Sequence, residues 1–195
     1  MSDEQANADI KFFAEVIRGG RADEAARAEG KFGFECYGPD GKLKWQAECQ
    51  NLVTTVGKNL ALDTYLAGSG YTVVGPFLGL ISSVSYTTGP AAGDTMGSHG
   101  GWTEAGLANA PTYTAPRKTA AWSAASAGSK SLSAAASYAI TGTGTVKGAF
   151  LVYGSGALST IDNTGGTLYS GGTFSGGDKV VGNGDTLNVS YSASL

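Results

Sequence analysis

The sequence predicts a mainly β protein: an antiparallel β-sandwich or jelly roll with a β-hairpin, one short helix and an N-terminal helical arm. Three observations lead to this fold class. Glycine accounts for 31 of the 195 residues, about twice its usual share. Aromatic residues make up 10% and charged residues 15% of the chain, whereas disordered chains are poor in aromatics and rich in charge. Short apolar stretches, several of them alternating with polar residues, recur between glycine-rich turns, which is typical of strands.

Charge divides the chain into an arm, residues 1–30, and a β-sandwich domain, residues 31–195. The arm holds seven acidic and four basic residues, whereas residues 64–195 hold only five of each. A solvated helical segment explains the first composition. A sandwich whose polar surface consists of Ser, Thr, Asn and Gly explains the second.

The arm contains one apolar stripe, formed by Ile10, Phe13 and Ile17 at helical spacing. Asp9 is a suitable N-cap, and Gly19-Gly20 ends the pattern. A helix this short is marginal by itself and needs a partner. The stripe packs either on the chain's own body or on a neighbouring subunit, so these three residues are the candidate subunit contacts.

Residues 31–49 predict a hairpin closed by Gly38-Pro39-Asp40-Gly41, a strong turn signal. If Gly38 pairs with Gly41, one face is apolar and the other charged. The predicted core face is Phe32, Phe34, Cys36, Leu43, Trp45, Ala47 and Cys49. The predicted cross-strand ion pairs are Glu35 with Lys44 and Lys31 with Glu48. The two cysteines lie too far apart to bridge in this register, so we expect free thiols, as in a cytoplasm.

A helix is predicted from about residue 55 to residue 66. Its apolar residues recur at helical spacing, Thr54 or Thr55 is the expected cap, and Gly68-Ser69-Gly70 ends it. Beyond it the pattern changes to strands, with a turn or short helix around residues 94–99. The predicted strands are 71–82, 101–106, 112–122, 132–140, 145–153, 167–174 and 187–193.

Few residues of this sequence form a pattern that suggests catalysis. His99 is the only histidine, so a metal site with several histidines is excluded, and no Gly-x-Ser-x-Gly motif in a strand-to-helix setting supports a serine nucleophile. A loop histidine that hydrogen-bonds the backbone is the simpler interpretation. The phosphate-loop pattern is absent, and Gly142-Thr143-Gly144 predicts a turn. We therefore expect no enzyme activity, no cofactor and no metal.

Two further groups of residues have a functional and a structural interpretation. Asp162, Asn163 and Asp178 lie in glycine-rich loops; calcium binding is conceivable there, but Asx-turns explain them more simply. Three tyrosines could stack on sugars, but core positions are the more common place for them in a β domain. They are Tyr86, Tyr113 and Tyr169.

Several segments resemble a family of structural proteins of tailed-phage virions. Two of them are distinctive. The first is the Asp94–Trp102 stretch within Gly93-Asp94-Thr95-Met96-Gly97-Ser98-His99-Gly100-Gly101-Trp102-Thr103-Glu104, and the second is the final strand, Gly184-Asp185-Thr186-Leu187-Asn188-Val189. More generic matches are Asn51-Leu52-Val53-Thr54-Thr55-Val56-Gly57, Phe77-Leu78-Gly79-Leu80-Ile81, Lys147-Gly148-Ala149-Phe150-Leu151 and Leu168-Tyr169-Ser170-Gly171-Gly172-Thr173-Phe174. The resemblance covers residues 31–195 and leaves the arm outside it.

The resemblance implies a virion protein similar to jelly-roll decoration or cement proteins of the phage head, with no catalytic residues to carry over. It implies location on the capsid surface after synthesis in the cytoplasm of a host bacterium, with the major capsid protein as partner. A homo-oligomer is expected. The net charge of −3 speaks against a nucleic-acid partner, and no apolar stretch is long enough for a membrane span. The alternatives are a tail, neck or fibre component of the virion, or a carbohydrate-binding or adhesin β module.

Overall fold

The computed structural model describes residues 28–66 and 74–194. Two antiparallel sheets pack face to face as a sandwich. The strands are β1 (Glu29–Tyr37), β2 (Leu43–Gln50), β3 (Leu52–Val53), β4 (Phe77–Ser82), β5 (Thr103–Glu104), β6 (Thr112–Tyr113), β7 (Lys118–Thr119), β8 (Ser129–Ser131), β9 (Ala136–Gly142), β10 (Gly144–Tyr153), β11 (Thr167–Thr173), β12 (Lys179–Val181) and β13 (Thr186–Ser194). The helix α1 (Thr55–Leu66) lies between β3 and β4. The predicted sandwich is therefore confirmed.

Each sheet is built from strands that are distant in sequence. The first sheet has the order β2-β1-β13-β9-β6, with β8 also paired to β13. The second has the order β3-β11-β10-β4-β5, with β12 also on β10 and β7 on β4. The chain passes between the sheets with almost no loop in two places, at Asn51 between β2 and β3 and at Thr143 between β9 and β10. The first crossing joins an edge strand of each sheet, and the second joins the interior strands β9 and β10.

The hairpin of β1 and β2 forms where the sequence predicts it, but its register differs by two residues. Gly38 N donates to Lys42 O (2.9 Å), and Gly41 adopts φ = +76°. The loop is thus one residue longer than predicted, a three-residue loop with glycine in the left-handed region. A β-bulge between Cys36 and Tyr37 shifts the pairing by one more residue, so that Cys36 lies opposite Trp45.

The longer loop and the bulge each shift the pairing by one residue. Because side chains alternate with period two, the two shifts together return the residues beyond the bulge to their predicted faces. Phe32, Phe34 and Cys36 are buried as predicted. Leu43 lies between the loop and the bulge, opposite Tyr37, and is half exposed. Its predicted place in the core is therefore wrong.

One of the two predicted ion pairs of the hairpin forms and the other does not. Lys31 binds Glu48 (2.9 Å), as predicted. The pair of Glu35 with Lys44 does not form, because Lys44 is the extra residue of the bulge and reaches Asp185 instead (2.6 Å). Bulges commonly redirect a side chain in this manner. Glu35 accepts a hydrogen bond from the Tyr37 hydroxyl.

Both cysteines are buried free thiols. In the observed register they lie four residues apart along the hairpin, roughly 13 Å. Burial and the neighbouring Asp185 carboxylate raise the pKa of Cys36 to about 11, and burial raises the pKa of Cys49 to about 12. Both thiols are therefore protonated and unreactive at neutral pH.

Helix α1 begins where the sequence predicts, with Thr54 as its N-cap. The Thr54 hydroxyl accepts a hydrogen bond from Gly57 N (3.0 Å) and donates one to Leu168 O on β11. Gly57 lies against β11 so closely that a Cβ at this position would be 2.3 Å from Tyr169 O. The cap therefore fixes the helix on the second sheet as well as starting it.

The core lies between the inner faces of the two sheets. Its centre contains aromatic and aliphatic side chains from both, among them Phe32, Phe34, Tyr138, Leu151 and Tyr191. A smaller cluster around Trp102 and Phe150 packs on the other face of the second sheet, under the loops that follow β4 and β10. Both faces of the second sheet are therefore covered, which explains the continuous apolar run in β10.

Candidate functional site

The candidate subunit contacts of the arm, Ile10, Phe13 and Ile17, lie outside the described residues. The structure therefore leaves the arm's predicted role as a prediction. The first described strand, β1, begins at Glu29, next to Ser194 at the end of β13. The arm thus joins the sandwich at one end of the first sheet.

His99 is part of a folded loop. Its ring stacks on Trp102, with 3.9 Å between ring centroids, and its Nδ1 lies 3.1 Å from Trp102 O. The Trp102 indole donates to Asp94 Oδ2 (3.1 Å), which also accepts from Ala91 N. This agrees with the prediction of a loop histidine bound to backbone, and it gives the distinctive 94–102 stretch a structural reason: it closes a loop over Phe150.

A buried ion pair that the sequence did not predict lies behind this loop. Arg117 Nε and Nη2 donate to the two carboxylate oxygens of Glu104 (2.8 and 2.7 Å), and both side chains are almost wholly buried. Arg117 also donates to Leu158 O and Asn163 O, while Asp162 N donates to Glu104. Loss of solvent raises the pKa of Glu104, and Arg117 opposes the rise. The network fastens the 158–163 loop to β5.

A second buried carboxylate fastens the hairpin. Asp185 accepts hydrogen bonds from Gly182 N (2.7 Å) and Lys44 Nζ (2.6 Å), and Cys36 Sγ lies 3.6 Å away. Burial raises the pKa of Asp185, but these donors lower it by more, so the net shift is downward. The carboxylate is therefore ionised and joins β2 to the turn before β13.

Two of the three candidate calcium residues, Asn163 and Asp178, use their side chains in structural contacts. Asn163 Oδ1 accepts a hydrogen bond from Gly165 N (2.9 Å), which is an Asx-turn. Asp178 forms an ion pair with Lys147. Within residues 28–66 and 74–194, no group of three or more His, Cys, Asp or Glu side chains is arranged to hold a metal ion.

The three candidate tyrosines differ in exposure. Tyr113 is buried against Tyr138, as the core interpretation predicts. Tyr86 is half-buried beneath the Lys147 ammonium. Tyr169 is half-buried beside Tyr153. An isolated, fully exposed ring for sugar stacking is therefore not found at these positions.

One side of the sandwich has an open apolar margin, which we name the β2–β12 edge: Leu43, Trp45, Phe174 and Val180. Within the described part of the chain, β2 pairs only with β1, and β12 only with β10. The Trp45 indole donates to Val180 O (2.8 Å) and packs edge-on against Phe174. Leu43 and Val180 are 50% and 59% exposed. Exposed strand margins of this kind are common contact surfaces.

The outer face of the first sheet is concave and polar. Its hollow has a volume of about 620 Å³ and lies over Gly33 and Ser190, where small residues lower the surface. The polar side chains around it are Glu35, Gln46, Glu48 and Asn188. Amides and carboxylates of this kind can hydrogen-bond the hydroxyl groups of a polar ligand.

Comparison with protein-family models, with curated proteins and with solved structures finds no match to this chain. The helix in the described part of the chain is too short or too polar to cross a membrane. The exposed surfaces of the sandwich are therefore the features from which a function can be proposed.

Proposed function

We propose that this chain is a structural protein of a tailed-phage virion that decorates or cements the capsid by bridging major capsid subunits. The observation that carries the proposal is the β2–β12 edge, which combines two open strands with exposed Leu43 and Val180. A margin that buries apolar surface only against a neighbour is what a bridging protein needs.

The rest of the molecule suits a rigid body in a crowded shell. The buried Glu104, Arg117 and Asp185 are all used to fasten loops. Few charges lie in residues 64–195, so repulsion between many closely spaced copies is small. Weak contacts are sufficient for attachment, because one copy that touches several capsid subunits gains from multivalency.

The arm is the second contact in this proposal. Ile10, Phe13 and Ile17 remain the candidate subunit-contact residues, and the major capsid protein and further copies of this chain are the proposed partners. No enzymatic step, cofactor or nucleic acid is needed for this role.

Rebinding to capsids that lack the protein tests the proposal. The double variant Leu43→Asp/Val180→Asp introduces charge into the edge, and we expect at least ten-fold weaker binding, about 1.4 kcal/mol. Leu107→Asp is the matched control, because Leu107 is 67% exposed and follows β5 at the opposite margin of the second sheet. Unchanged binding by a correctly folded edge variant would contradict the role of this edge.

A second candidate function is a carbohydrate-binding or adhesin module, favoured by the concave outer face of the first sheet. Glycan-array binding by the purified protein, lost on Gln46→Ala/Asn188→Ala, would support it over the capsid role. Absence of glycan binding together with capsid rebinding would support the first proposal.

A further inference from the structure

An apolar groove opens between the two sheets at the end of the sandwich where β1 begins. Its volume is about 280 Å³, roughly the space of nine water molecules. Tyr153 and Tyr169 form one wall on the second sheet, and Trp122, Tyr191 and Ala193 form the other. The groove therefore continues the core to the surface at this end.

Each wall of the groove contains an aromatic pair. Tyr153 and Tyr169 have ring centroids 5.2 Å apart. Trp122 and Tyr191 lie nearly perpendicular to each other at 5.8 Å. Trp122, Tyr153 and Tyr169 are only half-buried, so an apolar side chain placed between the walls would complete their burial. Burial of a large apolar side chain at this place would therefore favour docking.

The chain enters the sandwich beside this groove. Glu29 pairs with Ser194, and Gly30 lies opposite Ala193, which lines the groove. A Cβ at Gly30 would lie 2.5 Å from the Tyr191 hydroxyl, so glycine permits the close passage of β1 at this point. The segment that precedes β1 therefore meets the sandwich within one or two residues of the groove.

We propose that the stripe Ile10, Phe13 and Ile17 of the same chain occupies this groove in the free protein. The eleven residues 18–28 that separate the stripe from β1 span at most roughly 36–40 Å when extended, ample for the chain to fold back. The stripe supplies three apolar side chains at helical spacing. Lys130 at the groove has the charge that suits Asp9, which precedes the stripe, and Glu15, which lies within it.

The chain's own arm has an advantage over the arm of a second copy. A short tether gives an effective concentration in the millimolar range, well above the micromolar concentration of a dilute sample. The inference does not depend on the capsid proposal, because it concerns the isolated chain.

Nuclear Overhauser contacts in the full-length protein, labelled at isoleucine methyl groups, test this. We expect contacts from the Ile10 and Ile17 methyls to the Trp122 and Tyr153 rings. They should be absent between labelled and unlabelled molecules in a mixed sample. Contacts found only between molecules, or contacts of those rings with residues 67–73 and none with the arm, would overturn the proposal.

Hydrogen exchange of residues 10–17 gives a second test. Phe13→Asp should speed exchange at least ten-fold, and this variant leaves every described core residue in place. Trp122→Ala removes part of the groove wall and should also speed the exchange of residues 10–17. Val180→Asp, at the β2–β12 edge, is the control and should leave this exchange unchanged. Unchanged exchange in the Phe13→Asp protein would contradict docking even if the Trp122→Ala protein failed to fold.

Discussion

Single residues of this chain show how buried charge is used to hold loops. Arg117 and Glu104 are 1% and 5% exposed, and their partners are each other and the backbone of the 158–163 loop. A buried ion pair adds little net stability, but removal of one partner leaves an uncompensated charge. The pair therefore determines where the loop lies more than how stable the fold is.

Arg117→Met should destabilise the protein by about 3–5 kcal/mol at pH 7, because Glu104 remains buried without its cation. The pKa of Glu104 is already raised by burial, and it should rise further in the variant because the neighbouring cation is gone. A raised folded-state pKa means that the folded chain binds the proton more tightly than the unfolded chain. The Glu104 carboxyl therefore makes the fold more stable as the pH falls and less stable as the pH rises.

The free energy of unfolding of Arg117→Met should therefore come closer to that of the native protein as the pH falls from 7 to 5. Urea unfolding at each pH measures this difference. Glu104→Gln/Arg117→Met is the control, since it removes both charges and should lose this pH dependence. A deficit that is constant with pH in the single variant would show that Glu104 is not the responsible group.

The sequence could not reveal this pair. Glu104 and Arg117 lie in a region of two-residue strands and loops. This region has no periodic pattern of apolar residues from which the relative positions of two side chains could be predicted. Their partners on the 158–163 loop are more than 40 residues away. By contrast, the Thr54 cap and the Asn163 turn are local, and local hydrogen bonds can be predicted from residue type and spacing.

At the scale of elements, the hairpin shows which part of a register is predictable. The alternation of apolar residues gave the correct buried face for Phe32, Phe34 and Cys36. The extra loop residue and the bulge at Cys36 and Tyr37 left no trace in that pattern, because together they shift it by two. Leu43 and Lys44, between the two irregularities, were assigned to the wrong environment, and Trp45 is half-buried at the β2–β12 edge instead of lying in the core.

The observed register changes the expected cost of mutations in the hairpin. Phe34 is 2% exposed, so Phe34→Ala should cost about 3–5 kcal/mol. Trp45 is half-buried at the β2–β12 edge, so Trp45→Ala should cost less, about 1–2 kcal/mol. Urea unfolding with unchanged m-values measures both. Equal costs would show that Trp45 lies in the core, as the predicted register required.

Strand length decided how well the other elements were predicted. The long strands β9, β10, β11 and β13 contain enough alternating or apolar residues to be recognised. The strands β8 and β12 have three residues each and were not predicted. Their positions depend on pairing with β13 and β10, which is tertiary information.

At the scale of the whole molecule, the sandwich architecture follows from composition and pattern, but its surfaces do not. The order of strands in each sheet decides that β2 and β12 form an open edge and that a groove opens beside the start of β1. Neither feature can be derived from periodicity along one chain. The role in a virion is a proposal, and these two surfaces are the structural features on which it depends.

We propose that this chain is part of a phage particle, and an electron-microscopy map of that particle tests this central claim most directly. We predict density for the sandwich on the outer surface of the capsid, bridging major capsid subunits, with the β2–β12 edge at the contact. Density at the tail, neck or fibres, or a particle that lacks the protein, would contradict the claim.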